Sequence, residues 1–355
     1  MKYIMMLNAI VLALLLGCRN DPAGPADPGT VPAVVKAVYI LNEGDFSDAS
    51  GARITLYDTQ KDSVYTDVYE SANGGAHLGN VGDDMKFFNG RAYIVMSGSK
   101  NLVVVNLTTN RKDAEMTFSG SAVHDLLIDS VRNKIFMTRL FSRSLYVLNL
   151  STLAIQDSIS VGANPQGMVI ANGKLFVCNS GYGADSTVSV INPSNNQLIT
   201  TVKLAAGPTN AAVATDGKVW VACTGNAFAT PPTKGKIFIL DPATNAIADS
   251  ITFADNVWGT ISIGADGFAY VIGVTPTSFN GGPVHRITVA TKSVVLNFVA
   301  GTFYALAFDD VARELYASDV HEFSGNGDVK IYTTAGALRK TFAAQKGPAV
   351  FGFKR

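Results

Sequence analysis

Short apolar runs alternate with tight polar turns along most of the chain, at a spacing that predicts β-strands. Runs such as residues 91–96 and 174–179 are rich in β-branched and aromatic side chains, which favour extended backbone. Asn-Gly and Asp-Gly pairs separate several runs and suit two-residue hairpin turns. These pairs are Asn89-Gly90, Asn172-Gly173, Asp216-Gly217 and Asp266-Gly267. No helical periodicity is visible after residue 18, so the pattern predicts an all-β domain.

The strand pattern repeats, because one turn motif recurs seven times at intervals of 43 to 49 residues. Its aligned positions are Asp58, Asn106, Asn149, Asn192, Asp241, Thr288 and Tyr332. Each repeat has room for about four short antiparallel strands, as in a propeller blade. The sequence therefore predicts a seven-bladed β-propeller over residues 36–355. The sixth turn, ITVATKSV, lacks the Asn or Asp, so six or eight blades are alternatives.

The first and last repeats are complementary. The first repeat has only three strand-like runs, at residues 36–41, 53–57 and 63–69, whereas the last is followed by an extra run at 348–353. We expect this extra run to become the innermost strand of blade one, which closes the ring by pairing the two ends of the chain.

Residues 1–35 carry signals for export. Lys2 and the apolar residues 10–16 have the length and order of a signal peptide, and the sequence Leu-Leu-Gly-Cys18 resembles a bacterial lipobox. This pattern predicts a lipoprotein signal peptide at 1–18 with Cys18 as lipidation site; an ordinary secretory peptide is the alternative. Residues 19–35 are rich in proline, which cannot donate to a strand ladder, so they are expected to form a semi-extended tether.

Composition narrows the range of partners. The 355 residues carry no net charge, 47% are hydrophobic and 16% are charged, which is typical of a globular protein. Nucleic acids and acidic membrane surfaces both favour a basic excess, so we expect no nucleic acid and membrane contact through the lipid alone. Cys178 and Cys223 fall in apolar runs of adjacent repeats, about 10 Å apart as packed sheets, and are expected to be free and buried.

Residues 174–226 resemble the YVTN family of β-propeller repeats. The shared elements are a strand ending in Asn179, the sequence TVSVINP from Thr187 to Pro193, and Gly207-Pro208. Weaker copies cover the rest of residues 36–355. The resemblance implies the propeller fold and says almost nothing about chemistry.

The N-terminal part is similar to a narrower group, through YILNEGDF from Tyr39 and LGNVGDDMKFFNGRAYIVMSGSKNLVVVN from Leu78. These residues look like the propeller lipoproteins of Bacteroidetes-type outer membranes. Some members of that group bind cobalamin at the cell surface and pass it to a TonB-dependent transporter. The resemblance implies an outer-membrane lipoprotein, facing the surface or the periplasm, with a corrinoid as one candidate ligand.

One face of the predicted propeller differs from the other. The loops between strands two and three and between blades share a face, which we call the loop face, and the tight turns share the opposite turn face. The long loops span residues 43–51, 71–82, 140–143, 179–186, 225–235, 275–283 and 320–327. Long, uneven loops on a rigid scaffold are typical of binding surfaces, so the ligand is expected on the loop face.

The candidate ligand-binding residues are the aromatic and polar side chains of this face. Aromatic rings supply stacking and apolar contact, while histidine, arginine and amide groups supply directional hydrogen bonds. The candidates are Tyr182, Phe228, Phe279, Trp258, Tyr304, Phe303, His124, His321, Gln166, Asn210 and Arg143. The alternative is that many of these aromatics fill the bases of their own loops and that Trp258, Phe303 and Tyr304 only cap the channel.

Catalytic signatures are sparse. The sequence has no C-x-x-C-H haem motif, no G-x-S-x-G elbow and no aspartate-rich calcium loop, so no cofactor, metal or catalytic residue is predicted. Asp83-Asp84 and His124-Asp125 begin the innermost strands of blades two and three; one interpretation is an acid–base pair facing the channel, and the simpler one is polar caps at the strand ends. Ligand binding is thus the leading hypothesis. A protein-interaction scaffold is the second, and a hydrolase or lactonase-like propeller the third.

Overall fold

The computed structural model describes residues 36–48, 51–253, 256–274 and 281–355. These residues form seven four-stranded antiparallel sheets, so the predicted seven-bladed propeller is confirmed. The predicted signal peptide, Cys18, the tether at 19–35 and Phe279 lie outside the described residues. Within the described part, no helix has the length and apolar character needed to cross a membrane.

The blades follow one another along the chain. Blade one contains β1 (Ala37–Asn42), β2 (Arg53–Asp58), β3 (Ser63–Tyr65) and the C-terminal β28 (Pro348–Lys354). Blade two contains β4 (Gly82–Phe88), β5 (Arg91–Met96), β6 (Asn101–Asn106) and β7 (Lys112–Thr117); blade three contains β8 (Val123–Asp129), β9 (Lys134–Arg139), β10 (Ser144–Asn149) and β11 (Ile155–Ser160); blade four contains β12 (Pro165–Ala171), β13 (Lys174–Asn179), β14 (Thr187–Asn192) and β15 (Gln197–Lys203). Blade five contains β16 (Pro208–Val213), β17 (Val219–Cys223), β18 (Lys236–Asp241) and β19 (Ala246–Thr252); blade six contains β20 (Asn256–Ile263), β21 (Phe268–Val274), β22 (Gly282–Thr288) and β23 (Val294–Phe303); blade seven contains β24 (Ala305–Asp309), β25 (Glu314–Asp319), β26 (Asp328–Thr333) and β27 (Leu338–Ala343).

The two ends of the domain are joined in blade one. Strand β28 pairs antiparallel with β1 and is the innermost strand of that blade, as predicted. Asn42 lies opposite Pro348 at the loop face, and Ala37 lies opposite Lys354 at the turn face. The Lys36 amide donates to the Lys354 carbonyl at 2.9 Å. The chain therefore enters and leaves the ring side by side at the turn face.

The core lies between the blades, because both faces of each sheet pack on a neighbour. Trp220 and Tyr270 are fully buried there, whereas the outermost strand β11 is mostly exposed. Cys178 and Cys223 belong to one inter-blade cluster and are both free and buried. Burial raises the pKa of both thiols, which makes them poor nucleophiles.

One element departs from the all-β prediction. The link between blades one and two contains a five-residue helix, α1 (Val68–Ala72), which is too short to leave a periodic signal in the sequence. Tyr69 anchors α1 in the core between the two blades. Asn73, just after it, donates to the Asn110 carbonyl at 3.0 Å and accepts the Lys112 amide at 2.9 Å. Tertiary contacts therefore fix this short helix. Single 3-10 turns occur at Ser130–Arg132, Gly181–Gly183 and His321–Phe323.

Lysine side chains tie neighbouring blades together at the turn face. The Lys174 ammonium of blade four donates to the Pro242 carbonyl and to Asn245 Oδ1 of blade five, both at 2.9 Å. Lys134 of blade three makes the equivalent bond to Asn196 of blade four at 2.8 Å. Each lysine thus donates hydrogen bonds to acceptors in a turn of the neighbouring blade.

We expect Lys174→Met to destabilise the fold by about 1–2 kcal/mol, because it removes charge-assisted bonds and leaves the turn acceptors of blade five unpaired. Urea unfolding followed by far-UV circular dichroism measures the change. Lys61→Met is the matched control, since 71% of the Lys61 side chain is exposed. Equal stabilities for both variants would contradict a structural role for the inter-blade bond.

Candidate functional site

The loop face carries exposed aromatic rings. Phe46, Phe141 and Phe228 are 79%, 76% and 86% exposed, and Tyr182 is 50% exposed. The rings of Phe141 and Tyr182 lie 5.7 Å apart between centroids, which makes them one apolar platform on the loops of blades three and four. Exposed aromatic groups of this kind mark contact surfaces rather than core.

The central channel opens on this face, where the seven innermost strands begin. Glu43 directly follows β1, and Tyr304 directly precedes β24. The Tyr304 hydroxyl donates to Glu43 Oε2 at 3.0 Å. The Tyr304 ring lies 5.9 Å from Trp258 and 5.3 Å, edge to face, from Phe323. One tyrosine thus links a carboxyl group to an aromatic wall.

A second polar pair lies on the neighbouring strands of the mouth. Asp83 on β4 and His124 on β8 approach to 3.8 Å between Oδ1 and Nε2. Asp83 Oδ2 accepts the Ser97 amide at 2.8 Å, and only 9% of the Asp83 side chain is exposed. His124 Nδ1 is buried and has no hydrogen-bond partner among the described residues. Asp83 is therefore held in place, while one ring nitrogen of His124 forms no hydrogen bond with the described residues.

Burial shifts the titration of this mouth. It raises the pKa of Glu43 to about 7, against the opposing effect of the Tyr304 hydrogen bond. Burial also raises the pKa of Asp83 well above its usual range, and the nearby Glu43 charge adds to that. The pKa of His124 falls to about 4, because burial disfavours the imidazolium more than Asp84 favours it. At neutral pH the mouth thus holds a neutral imidazole and carboxyl groups that bind protons readily.

A layer of charge lies next to the mouth, on the walls of the channel. Asp84 Oδ1 accepts the Lys86 ammonium at 2.6 Å, and Asp84 Oδ2 accepts the Leu126 amide of blade three at 3.0 Å. Lys86 lies on the channel wall, and 46% of its side chain is exposed. The charges of Asp84 and Asp125 outweigh burial and raise the pKa of Lys86. This layer is internally compensated, unlike the mouth.

The arrangement favours recognition through hydrogen bonds, charge and aromatic contact. Among the described residues, no group of three or more His, Cys, Asp or Glu side chains has the geometry to hold a metal ion. Glu43, Asp83 and His124 can exchange protons, and Trp258 and Tyr304 offer ring faces beside them. Perturbed titratable groups in a concave opening are characteristic of functional sites.

Comparison with known proteins assigns the family. The model of a domain of unknown function, DUF5074, matches residues 36–326, which is most of the propeller. The chain belongs to this family. No curated protein matches the DUF5074 chain in sequence.

Solved structures share the fold of this DUF5074 domain. A quinonprotein alcohol dehydrogenase-like protein from Bacteroides thetaiotaomicron has a TM-score of 0.70 at 16% identity, over 90% of this chain and 78% of that one. A functionally unknown protein from Desulfotomaculum acetoxidans has a TM-score of 0.66 at 12% identity, over 90% and 99%. Hydrazine synthase from Kuenenia stuttgartiensis has a TM-score of 0.58 at 15% identity, over 69% and 73%. At these identities the likeness concerns the fold alone.

The structure brings some of the sequence-predicted residues of the DUF5074 domain together. Trp258, Tyr304 and His124 all lie at the channel mouth. Tyr182 lies close enough to Asp83 for that charge to help raise the tyrosine pKa, after the larger effect of burial. Gln166 lies on the innermost strand β12 and is buried, and Asn210 lies half-buried on β16.

Other predicted residues lie elsewhere. Phe303 is 1% exposed and packs edge to face on Tyr332 in the core between blades six and seven, so it does not line the mouth. His321 is engaged within its own loop, through Asn326 O at 3.1 Å and Asp328 at 3.4 Å. Phe228 and Arg143 are exposed on outer loops. The channel mouth therefore contains fewer of the candidate residues than the sequence predicts.

Glu43 is the site residue that sequence reasoning missed. It follows AVYILN, a strand in which every residue is buried. A carboxyl group placed directly after such a strand is at risk of desolvation, which is the signal that could have identified it.

We expect Glu43→Gln to flatten the pH dependence of stability. The folded protein binds the Glu43 proton up to a pKa of about 7, so this group's contribution is complete below pH 4.5 and is lost as pH rises through 7. From pH 5 to pH 8 the wild type should therefore lose about 2 kcal/mol relative to the variant. Urea unfolding at both pH values measures the difference. Tyr304→Phe should make the loss of stability larger, because it removes the hydrogen bond that lowers the Glu43 pKa. Parallel stability profiles for all three proteins would contradict a raised pKa at Glu43.

Proposed function

We propose that this protein is an outer-membrane lipoprotein, anchored through Cys18, that captures a small organic ligand on its loop face. The observation that carries the proposal is the channel mouth, where buried polar groups lie beside Trp258 and Tyr304. Exposed aromatic rings, including Phe141 and Tyr182, surround it on the loops. Apolar contact area combined with a few fixed polar groups is the usual composition of a small-molecule site.

A corrinoid is the ligand we propose to test first. It combines a broad, flat macrocycle with amide side chains around its rim. Tyr182 and Trp258 would provide stacking and apolar contact, while Gln166, Asn210 and Arg143 would exchange hydrogen bonds with the amides. The similarity of residues 39–46 and 78–106 to surface lipoproteins supports delivery to a TonB-dependent transporter.

Purified protein should bind cyanocobalamin saturably in isothermal titration calorimetry. Tyr182→Ala and Trp258→Ala should each weaken binding about tenfold or more, because each removes about 1.4 kcal/mol or more of ring contact. Tyr65→Ala is the matched control, since Tyr65 has a similar exposure of 43% but lies on β3, the outermost strand of blade one.

Two results would contradict the corrinoid assignment. Absence of binding at high micromolar cyanocobalamin would remove the ligand, although the propeller and its loop face would stand. Binding that Tyr65→Ala weakens as much as Tyr182→Ala would place the ligand away from the loop face.

Docking of an envelope protein is the second candidate function. The observation in its favour is a shallow, open depression on the described loops of blades six and seven. Its volume is about 360 Å³, and its lining residues are Thr302, Asp319, Val320, His321 and Glu322. Exposed rings such as Phe141 and Tyr182 suit a protein interface equally well. A photo-crosslinking amino acid at position 182 should then form an adduct with a TonB-dependent transporter, whereas one at position 65 should not.

A further inference from the structure

Two carboxyl groups at the channel mouth lack a lysine or arginine partner among the described residues. No lysine or arginine of the described chain forms an ion pair with Glu43 or Asp83. The neighbouring carboxyl groups do have such partners, since Asp84 binds Lys86 and Asp45 binds Lys346. A buried carboxyl group without a compensating charge destabilises a fold, so the presence of two of them at an open mouth favours a role in binding.

Asp83 lies beside this opening. More than nine-tenths of its side chain is buried, and Oδ2 accepts the Ser97 amide at 2.8 Å. The Ser97 side chain also bonds this carboxyl group, while His124 Nε2 approaches Oδ1 only to 3.8 Å, which is too long for a hydrogen bond. The nearly buried carboxyl group is therefore held by the neutral groups of Ser97 and forms no ion pair with a lysine or arginine of the described chain.

An aromatic wall borders the same opening. Tyr304 bonds Glu43 through its hydroxyl, and its ring lies against Trp258 and Phe323 at 5.9 Å and 5.3 Å. All three rings are only partly buried. The faces of tryptophan and tyrosine carry negative electrostatic potential and attract a cation within about 6 Å of the ring centre.

We infer that the channel mouth binds an organic ammonium group, held between the Glu43 and Asp83 carboxylates and the Trp258 and Tyr304 rings. The described residues provide too few converging ligands for a metal ion, and a flat aromatic wall suits an alkylated cation better than a hydrated one. The inference goes beyond corrinoid capture and does not depend on it. The same mouth would take a free amine or the basic group of a larger ligand.

Binding of the cation should be coupled to proton release. The titratable and charged groups that face Glu43 and Asp83 are Asp84, Lys86, His124, Asp125, Tyr182 and Tyr304. Because His124 stays neutral above a pKa of about 4, the two carboxyl groups dominate near neutrality. An ammonium ion stabilises their ionised forms and is therefore held more tightly as the pH rises.

Choline and its neutral isostere 3,3-dimethylbutan-1-ol are the probes, with n-butylammonium as a second cation. Calorimetry measures affinity, and tryptophan fluorescence reports the mouth, because Trp220 is fully buried in the inter-blade core and Trp258 is not. At least one cation should bind saturably and change the fluorescence, while the isostere should bind at least tenfold more weakly. Affinity for the cation should rise about tenfold from pH 6 to pH 8, as Glu43 with its pKa of about 7 ionises.

Asp83→Asn and Glu43→Gln should each weaken cation binding about tenfold without changing the response to the isostere. Asp113→Asn is the matched control, since this carboxyl group lies on the outer strand β7 and pairs with Arg91. The comparisons of isostere and pH use the wild type alone, so the test survives a variant that does not fold.

Three outcomes would overturn the inference. The first is no binding of either cation at 50 mM, which is about 5 × 10⁴ times the dissociation constant of a micromolar site. The second is equal binding of choline and its isostere, and the third is unchanged affinity in both folded carboxyl variants. Loss of cyanocobalamin binding alone would refute corrinoid capture and leave the ammonium site intact. Absence of cation binding with intact cyanocobalamin binding would refute the ammonium site and leave corrinoid capture intact.

Discussion

A chain that lacks residues 348–355 should lose cooperative folding of the whole propeller, not of blade one alone. Strand β28 pairs with β1 along its full length and also packs on β4 of blade two and β24 of blade seven. Its removal opens the ring and exposes the inner edge of β1. Each blade buries its apolar faces only against its neighbours, so an open ring loses both end interfaces. The loss should be about 5 kcal/mol or more, comparable with the total stability of many domains.

Thermal unfolding by circular dichroism and limited proteolysis measure this effect. The truncated chain should melt without a sharp transition and should be cleaved across all blades. A synthetic peptide covering residues 346–355 is the control, because its addition should restore part of the transition. A truncated protein that melts cooperatively within about 5 °C of the intact one would show that β28 is dispensable, since that interval corresponds to only a few kcal/mol.

The second large effect is expected for Asp84→Ala. This buried carboxylate accepts the Met85 amide at 2.8 Å and the Lys86 ammonium at 2.6 Å within blade two. It also accepts the Leu126 amide of blade three at 3.0 Å, so it joins two innermost strands. Alanine leaves the Leu126 amide unpaired and leaves the Lys86 charge with Asp125 alone. The cost should be about 3 kcal/mol, at the lower end of the range for buried pairs that lose one member, because 46% of the Lys86 side chain is exposed.

Urea unfolding of Asp84→Ala should show this loss as a lower midpoint with an unchanged slope. Asp113→Ala provides the contrast, because the Arg91–Asp113 pair is solvent-exposed and should contribute less than about 1 kcal/mol. Asp84→Asn should fall between the two, since an amide oxygen can still accept from Leu126. Equal effects of Asp84→Ala and Asp113→Ala would mean that the hydrogen bond between Asp84 and the Leu126 amide does not stabilise the fold.

The fold could be predicted from the sequence because its signals are local and repeated. The turns at Asp58, Asn106, Asn149, Asn192 and Asp241 follow strands with matching apolar runs, so the period alone indicates blades. The missing strand of the first repeat and the surplus strand after the last repeat indicate the closure. Helix α1 could not be predicted, because packing of Tyr69 between two blades fixes it rather than any local pattern.

The site was harder to predict, because it depends on side-chain direction at single positions. Phe303 and Tyr304 are adjacent, yet Phe303 enters the core and Tyr304 faces the mouth. In an extended strand, a shift of one residue turns a side chain to the opposite face of the sheet. The register irregularities in β4 and β8 include Asp83 and His124, so the directions of these two side chains do not follow the simple alternation. Sequence reasoning placed both Phe303 and Tyr304 at the mouth and omitted Glu43. Which acids converge there is a property of the closed ring.

The closure in blade one also sets an orientation. Lys36 bonds Lys354 at the turn face, while the channel mouth with Glu43 and Tyr304 opens on the opposite side. An attachment made at Lys36 therefore lies on the face opposite the mouth, and it leaves the mouth accessible to a large partner.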